Sequence, residues 1–441
     1  MTTYDGQAPV RNIYEFNDVG EEITLYNGLI GGLGHVKYPG SIQLEMDPSF
    51  RVAWHVEPDG DKHAFERWHL YVGDVDLVLH RPGGEKIIRV RKNNTTTGYI
   101  NGANVGSEND NLAKVVLHWM NLPAIHASGV LIMNSGDTWY RWAGRCEFLI
   151  EDWKIVLDRR FDHERVWRQA SDRRKIVMTH VMEISRSGGQ GFRGTDVRPV
   201  LDALHFGFSF ALGRWVAPAL PTGLDLEGNR VWEQWGPWFC DSGTSSGTAW
   251  WHHTRSDDLS HYVARLVPAF LNAERANFAR MLLSMLVQGN GGGFIEQRTI
   301  TLFSAMEHLS WIKRVLSGEM SASFYENSFR GAEVRFRRLL ADANVATTID
   351  ANHYPSLHKL AVDRGLVDGV AATVYVRNRI VHPKAGRDDI YDRDGLLTDS
   401  WLMTRGYLTL LVLHWLEYEG SYQSITSAGG LSGDVERVPW V

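Results

Sequence analysis

Arg377, Asn378, Arg379 and His382 lie within six residues of one another, at the end of an almost wholly apolar stretch, LVDGVAATVYV (366–376). Charged side chains at the mouth of a buried helix are costly unless they are paired or put to use. Pro383 disfavours helical backbone at the residue before it, so the helix should end at His382. There the helix macrodipole favours a protonated imidazole. An imidazole near neutrality beside a permanent guanidinium is suited to general acid–base cleavage of a phosphodiester without a metal. On an ideal helix, positions five apart are turned by about 140°. Arg377 and His382 therefore converge only if the helix stops before His382. Arg379, three residues from His382, lies closer on a regular helix and is the substitute.

Other polar groups could serve the same chemistry. Glu307, in SAMEHLSW, is an acid on a largely apolar helix. It could pair with Arg377 as a structural cap or face solvent. A helix expected over 325–340 carries Arg330, Arg335, Arg337 and Arg338, with Lys313 and Arg314 upstream. Arg330 and Arg337, seven apart, would share a face able to grip an RNA backbone. Glu326 and Glu333 offer intrahelical partners that would make the same face merely solvated. Trp250, Trp251, His252, His253, Asp257, Asp258 and His261 form a loose cluster whose spacing fits no standard metal pattern, so no metal is expected. GNGGG (289–293) lacks the Lys-Ser/Thr of a phosphate loop and reads as a helix connector.

The chain has 441 residues, enough for two or three domains, and a net charge of −6 gives no global attraction to nucleic acid. Two cysteines, Cys146 and Cys240, are too few for a disulfide framework. The start, MTTYDGQAPVRNIYEF, has no signal-peptide pattern, and no apolar run is long enough to span a membrane. The expectation is a soluble cytoplasmic protein. Most of the 17 tryptophans precede residue 252, a distribution that favours filling β-rich cores over stacking on ligands.

Residues 20–160 alternate or run apolar in short segments such as SIQLEM, FRVAWHVE, KIIRVRK and KVVLHWM. These predict an antiparallel sandwich or barrel. Turn signals are Tyr38-Pro-Gly40, Asp59-Gly60, Pro82-Gly-Gly84, Gly98 and Gly136-Asp137. KIVMTHVMEIS is a further strand, VRPVLDALHFGFSFALGRW a helix, and 217–250 an irregular connection with one or two edge strands. From Ser256-Asp257-Asp258, an expected N-terminal cap, the texture becomes helical. One long helix, bent at Pro268, is expected up to GNGGG, then a bundle of shorter helices. The fold class is α+β: a β-rich sandwich-like domain over 1–250, then an all-α domain over 251–441.

The segment Arg377-Asn-Arg-Ile-Val-His382 resembles the R-x4–6-H motif of HEPN domains, helical ribonuclease modules of bacterial toxins and anti-phage proteins. A polar residue directly after the motif arginine is usual in that family, and Asn378 fits. The resemblance covers roughly the last 185 residues and implies a mechanism. The ribose 2′-OH attacks the adjacent phosphorus, His382 moves the proton, Arg377 holds charge on the phosphate, and Asn378 orients the imidazole or binds a phosphate oxygen. The family often adds an acidic residue on an earlier helix, a role open to Glu307, and pairs two domains into one cleft, which implies a homodimer. No cofactor is implied. With a β-rich domain in front, the order is similar to ApeA-like abortive-infection proteins. In these the front domain senses a phage-derived trigger and releases the nuclease on RNA, often tRNA. Two other readings stay open: a non-catalytic HEPN scaffold, and a β-sandwich that binds a glycan or peptide through exposed tryptophans.

Overall fold

A computed structural model describes the chain apart from residues 1, 6–7, 32–36, 48–49, 58–72, 83, 95, 127–128, 136–137, 244–248, 383–389 and 427–433. It divides into two compact units: residues 1–201 with 216–245, and residues 202–215 with 246–441. The first is built of antiparallel sheets and the second is mainly helical, so the fold class is α+β with the β-rich part first.

In the first unit, after β1 (Thr2–Asp5), six strands close a barrel. They are β2 (Ile23–Gly31), β3 (Lys37–Glu45), β4 (Arg51–Val56), β5 (Gly73–Arg81), β6 (Gly84–Lys92) and β7 (Thr97–Ile100), in the order β2-β3-β4-β7-β6-β5. Alternation does what the sequence predicts: Val52, Trp54 and Val56 of β4 turn inward, while Arg51, Ala53 and His55 are more exposed. Two expected turns are instead strand interior. Gly40 lies in β3, and Gly98 in β7 sits where a Cβ would come within 2.0 Å of the Arg91 carbonyl. These glycines permit close strand approach rather than chain reversal. At the third expected turn, Arg81 at the end of β5 pairs with Gly84 at the start of β6; Gly83 lies outside the described residues. Asp59-Gly60 and Gly136-Asp137 lie outside the described residues.

A nine-stranded sheet follows. Its remaining members are β8 (Ala103–Gly106), β9 (Lys114–Met120), β10 (Gly129–Ser135), β11 (Thr138–Ile150), β12 (Trp153–Arg159), β13 (Met178–Arg186), β14 (Ala217–Leu224) and β15 (Arg230–Trp235). They run β1-β10-β11-β12-β13-β9-β14-β15-β8. The prolines of β14 suggest an edge strand, yet β14 lies between β9 and β15 and is buried along its length. A bulge resolves the conflict: pairing with β9 shifts between Ala219 and Thr222, and Leu220 takes φ +55°. Helix α1 (His163–Arg173) was not legible in the sequence. Its buried stripe is short, Val166 and Ala170, packed with Val177. Helix α2 (Gly194–Leu212) matches its predicted apolar spacing. Trp54, Trp119, Trp153, Trp232 and Trp235 are all fully buried, as core-filling predicts.

In the second unit, the expected long helix is two, α3 (Ser256–Leu271) and α4 (Ala273–Asn290). The break is at Asn272, not Pro268: the Asn272 side chain accepts from Glu274 N and Arg275 N at 3.0 and 3.1 Å and starts a new helix. Ser256 is the first helical residue rather than the cap. Then come α5 (Ile295–Trp311), α6 (Ala322–Asn327), α7 (Ala332–Asp342), α8 (Pro355–Arg364), α9 (Gly369–Val381) and α10 (Leu396–Trp415). A small hairpin, β16 (Ser421–Gln423) with β17 (Val435–Arg437), follows. Helix α5 is central, packing on α4, α7, α9 and α10. No helix among the described residues is long and apolar enough to cross a membrane.

One ionic knot ties the barrel to the nine-stranded sheet. Glu233 of β15, 2% exposed, accepts from the Tyr14 hydroxyl at 2.6 Å, from Trp235 Nε1 at 3.2 Å, and from Arg81 at the end of β5. Glu233→Ala leaves a guanidinium and a buried phenol without their acceptor. It should cost about 3 kcal/mol, read as a lower urea midpoint for the first unit; an unchanged midpoint would show the knot to be incidental.

Candidate functional site

Helix α9 is set at its start by Asp368. Its carboxylate accepts from Ala371 N at 2.8 Å and takes the fork of Arg337 at 2.8 and 3.0 Å. Partial burial alone would raise the Asp368 pKa. The Arg337 fork and the Ala371 N–H outweigh it, and the carboxyl sits below its ordinary range. From there Val370, Ala371, Ala372, Val374 and Val376 are buried. Val367, expected in this buried run, precedes the helix and is 81% exposed.

At the other end Val381 is the last helical residue. His382 has φ −129° and ψ 73°, its N–H donates to the Asn378 carbonyl at 2.9 Å, and its ring is exposed. The condition for Arg377 and His382 to converge, a helix ending before His382, is therefore met. Among the described residues no hydrogen bond joins the His382 ring to Arg377, Asn378 or Arg379. Pro383 lies outside the described residues.

Arg377 is largely buried at its base. Its Nη2 lies 4.0 Å from Glu307 Oε1, its Nη1 donates to Asn378 Oδ1 at 3.1 Å, and its buried Nε has no partner. Glu307 is 39% exposed, so this ion pair holds the guanidinium loosely. Arg379 turns back over the Tyr375 ring, 5.1 Å from its centroid. The structure thus gathers Arg377, Asn378 and Glu307 into one polar cluster, and His382 follows at the end of the same helix without a bond from its ring to that cluster.

The basic stripe does not form. Gly331, at φ +87°, separates α6 from α7, so Arg330 lies off the helix and shares no face with Arg337. Arg330 bonds Asn327 at 3.1 Å, and Arg335 donates to the Phe329 carbonyl at 2.9 Å. Arg337 is engaged by Asp368 and Glu333, and Arg338 lies 3.6 Å from Asp342. Arg314, 4% exposed, is held by Glu319 and Asp342, and Lys313 contacts His414 Nδ1 at 3.0 Å. Arg330 and Arg338 keep exposed heads; Arg337 positions α9 instead.

Among the described residues no group of three or more His, Cys, Asp or Glu is placed to hold a metal ion. In the 250–261 cluster, Trp250 and Trp251 are core, the His252 and His253 rings stack at 4.5 Å, and Asp258 pairs with Arg255 at 2.9 Å.

Asp368 is the residue the sequence reasoning passed over. Its signal is legible in retrospect, an aspartate immediately before the apolar run. Asp368→Ala should cost about 1 kcal/mol and loosen the start of α9. Because the folded-state pKa is depressed, the contribution is present above the ordinary carboxylate range. It is lost as pH falls through the depressed value, so wild type and variant should converge in stability on acidification. A gap in melting temperature that persists in acid would contradict this assignment.

The chain is similar over 309 residues, at 26% identity, to the SPbeta prophage-derived uncharacterized protein YopA of Bacillus subtilis (strain 168), covering 68% of this chain and 67% of that protein. No solved structure matches it. Residues 107–246 match the family model of the YopA central domain, beginning just after the barrel, and residues 273–435 match that of the YopA C-terminal domain, beginning at the first residue of α4 and including the whole candidate site.

Proposed function

We propose that the helical unit is a metal-independent endoribonuclease of the HEPN type. The observation that carries this reading is the end of α9. His382 leaves the helix directly after Val381 with an exposed ring, and Arg377 stands a turn and a half earlier with a guanidinium only loosely held by Glu307. In the reaction the ribose 2′-oxygen bonds to phosphorus as the P–O5′ bond breaks, leaving a 2′,3′-cyclic phosphate and a 5′-hydroxyl. His382 takes the 2′-OH proton and, once protonated, can supply one to the leaving oxygen. Arg377 offers a planar fork to the phosphate oxygens, where charge builds in the transition state. Asn378 steadies that fork, and Arg379 is the alternative cation. Exposed Arg330 and Arg338 add backbone affinity.

The protein acts, on this proposal, in the cytoplasm as a homodimer that cuts tRNA or other cellular RNA in an abortive-infection response. The β unit responds to a phage-derived trigger or holds the nuclease inactive. The prophage origin of the Bacillus subtilis relative supports a role in phage biology. A second reading is favoured by the Arg377–Glu307 and Arg377–Asn378 contacts: a helical scaffold in which Arg377 caps the end of α9.

Growth separates the two. Bacteria expressing the wild-type chain should stop growing when infected, and those expressing His382→Ala should not. If an Arg377→Ala, His382→Ala double variant arrests growth as fully as wild type, the scaffold reading replaces the nuclease.

A further inference from the structure

In the β unit, residues 8–17 lie on the nine-stranded sheet as a strap, and buried groups of that sheet fix it on both sides of Arg11. Val10 N donates to Asp158 Oδ2 at 2.7 Å, and Tyr14 N to His118 Nε2 at 3.2 Å. Asp158 and His118 are 2% and 0% exposed. Burial first, and the Arg230 charge second, push the His118 pKa down to about 3, so the ring stays a neutral acceptor. Under the strap, Val116, Val181 and Leu224 form an apolar pad against which Val10, Ile13 and Phe16 pack.

Beside the strap opens a cavity of about 400 Å³, a size within the roughly 300–1,000 Å³ of small-molecule sites. Ile13, Val116 and Leu224 give it an apolar floor. Three cations from three distant segments, Arg11, Lys114 and Arg230, converge on it, and no carboxylate lines it. Lys114 is engaged by Glu183 at 2.8 Å. Arg230 donates to the Ile13 carbonyl at 2.9 Å and lies over the Tyr14 ring, 5.4 Å from its centroid. Neither contact neutralises its charge. Arg11 has no hydrogen bond or ion pair among the described residues, and both arginines are exposed. Asp225, in the turn after β14, is taken up within that turn: its carboxylate accepts from Asn229 N and Nδ2 at 2.7 and 3.0 Å. Two guanidiniums thus meet at one cavity with no acid paired to either, an arrangement that a bound anion relieves.

We infer that this cavity binds a phosphate monoester of a small, largely apolar molecule. The two unpaired guanidiniums match a charge of about −1.5 to −2, which a phosphate monoester carries at neutral pH and a carboxylate does not. Their planar forks suit its oxygens. The apolar body lies on Ile13, Val116 and Leu224. The site belongs to the β unit, and the inference stands whether or not the helical unit is a nuclease.

Phenyl phosphate carries both halves of this ligand, inorganic phosphate only the head, and benzoate the ring with a single charge. Calorimetric titration of the full chain with phenyl phosphate should saturate in the millimolar range or tighter, and the other two should bind about tenfold more weakly. Arg11→Ala, which removes no internal contact, should weaken phenyl phosphate binding about tenfold at an unchanged melting temperature. Arg230→Gln should weaken it likewise. Glu183→Gln frees Lys114 and should tighten it. The Arg377→Ala, His382→Ala double variant should bind as wild type does. No saturation by phenyl phosphate, equal affinity for benzoate or for inorganic phosphate, or unchanged binding in both arginine variants would overturn the proposal.

Discussion

The Asp368 carboxylate decides where α9 begins, and through that where it ends. Bonded to Ala371 N and gripped by Arg337 from α7, it fixes the rotation and register of a helix whose inner face is Val370, Ala371, Val374 and Val376. A one-residue slip at the start would turn Arg377 through about 100°, away from Glu307. The arginine that looked like a nucleic-acid contact is thus a positioning residue. A carboxylate at a helix N-terminus gains from the backbone donors and the macrodipole together, and the guanidinium fork adds direction.

The first unit is organised by a different constraint, the need to bury strands without leaving long edges. The barrel removes its edges by pairing β2 with β5. The nine-stranded sheet begins and ends in short strands, β1 and β8. Tryptophans supply bulk inside both sheets, and Glu233 with Tyr14, Arg81 and Trp235 joins them by bonds that a slipped register would break. These buried rings are core, which weakens the reading of the β unit as a tryptophan-lined glycan binder.

Alternation and period were enough to read the β-rich front, the helical back and most element positions. Misreadings arose where one residue type serves two purposes. Gly40 and Gly98 looked like turns because glycine also marks close strand approach. β14 looked like an edge because prolines leave ladder donors missing, and the bulge at Leu220 is invisible in sequence. Asn272, a side-chain cap, divided a helix whose apolar period runs on without a break, and Gly331 divided another. At the candidate site, the helix end before His382 was legible from the His-Pro pair. The pairing of Arg337 with Asp368 was not, because contacts between helices are set by packing rather than by spacing along one of them.

The central claim is chemical and has a direct test. Purified protein is incubated with total tRNA and EDTA, wild type beside His382→Ala, and the fragment ends are analysed. Cleavage by wild type alone, leaving 2′,3′-cyclic phosphate ends, is the result this account predicts. Intact tRNA with wild type even after addition of phage lysate, or equal cleavage by the variant, would contradict it.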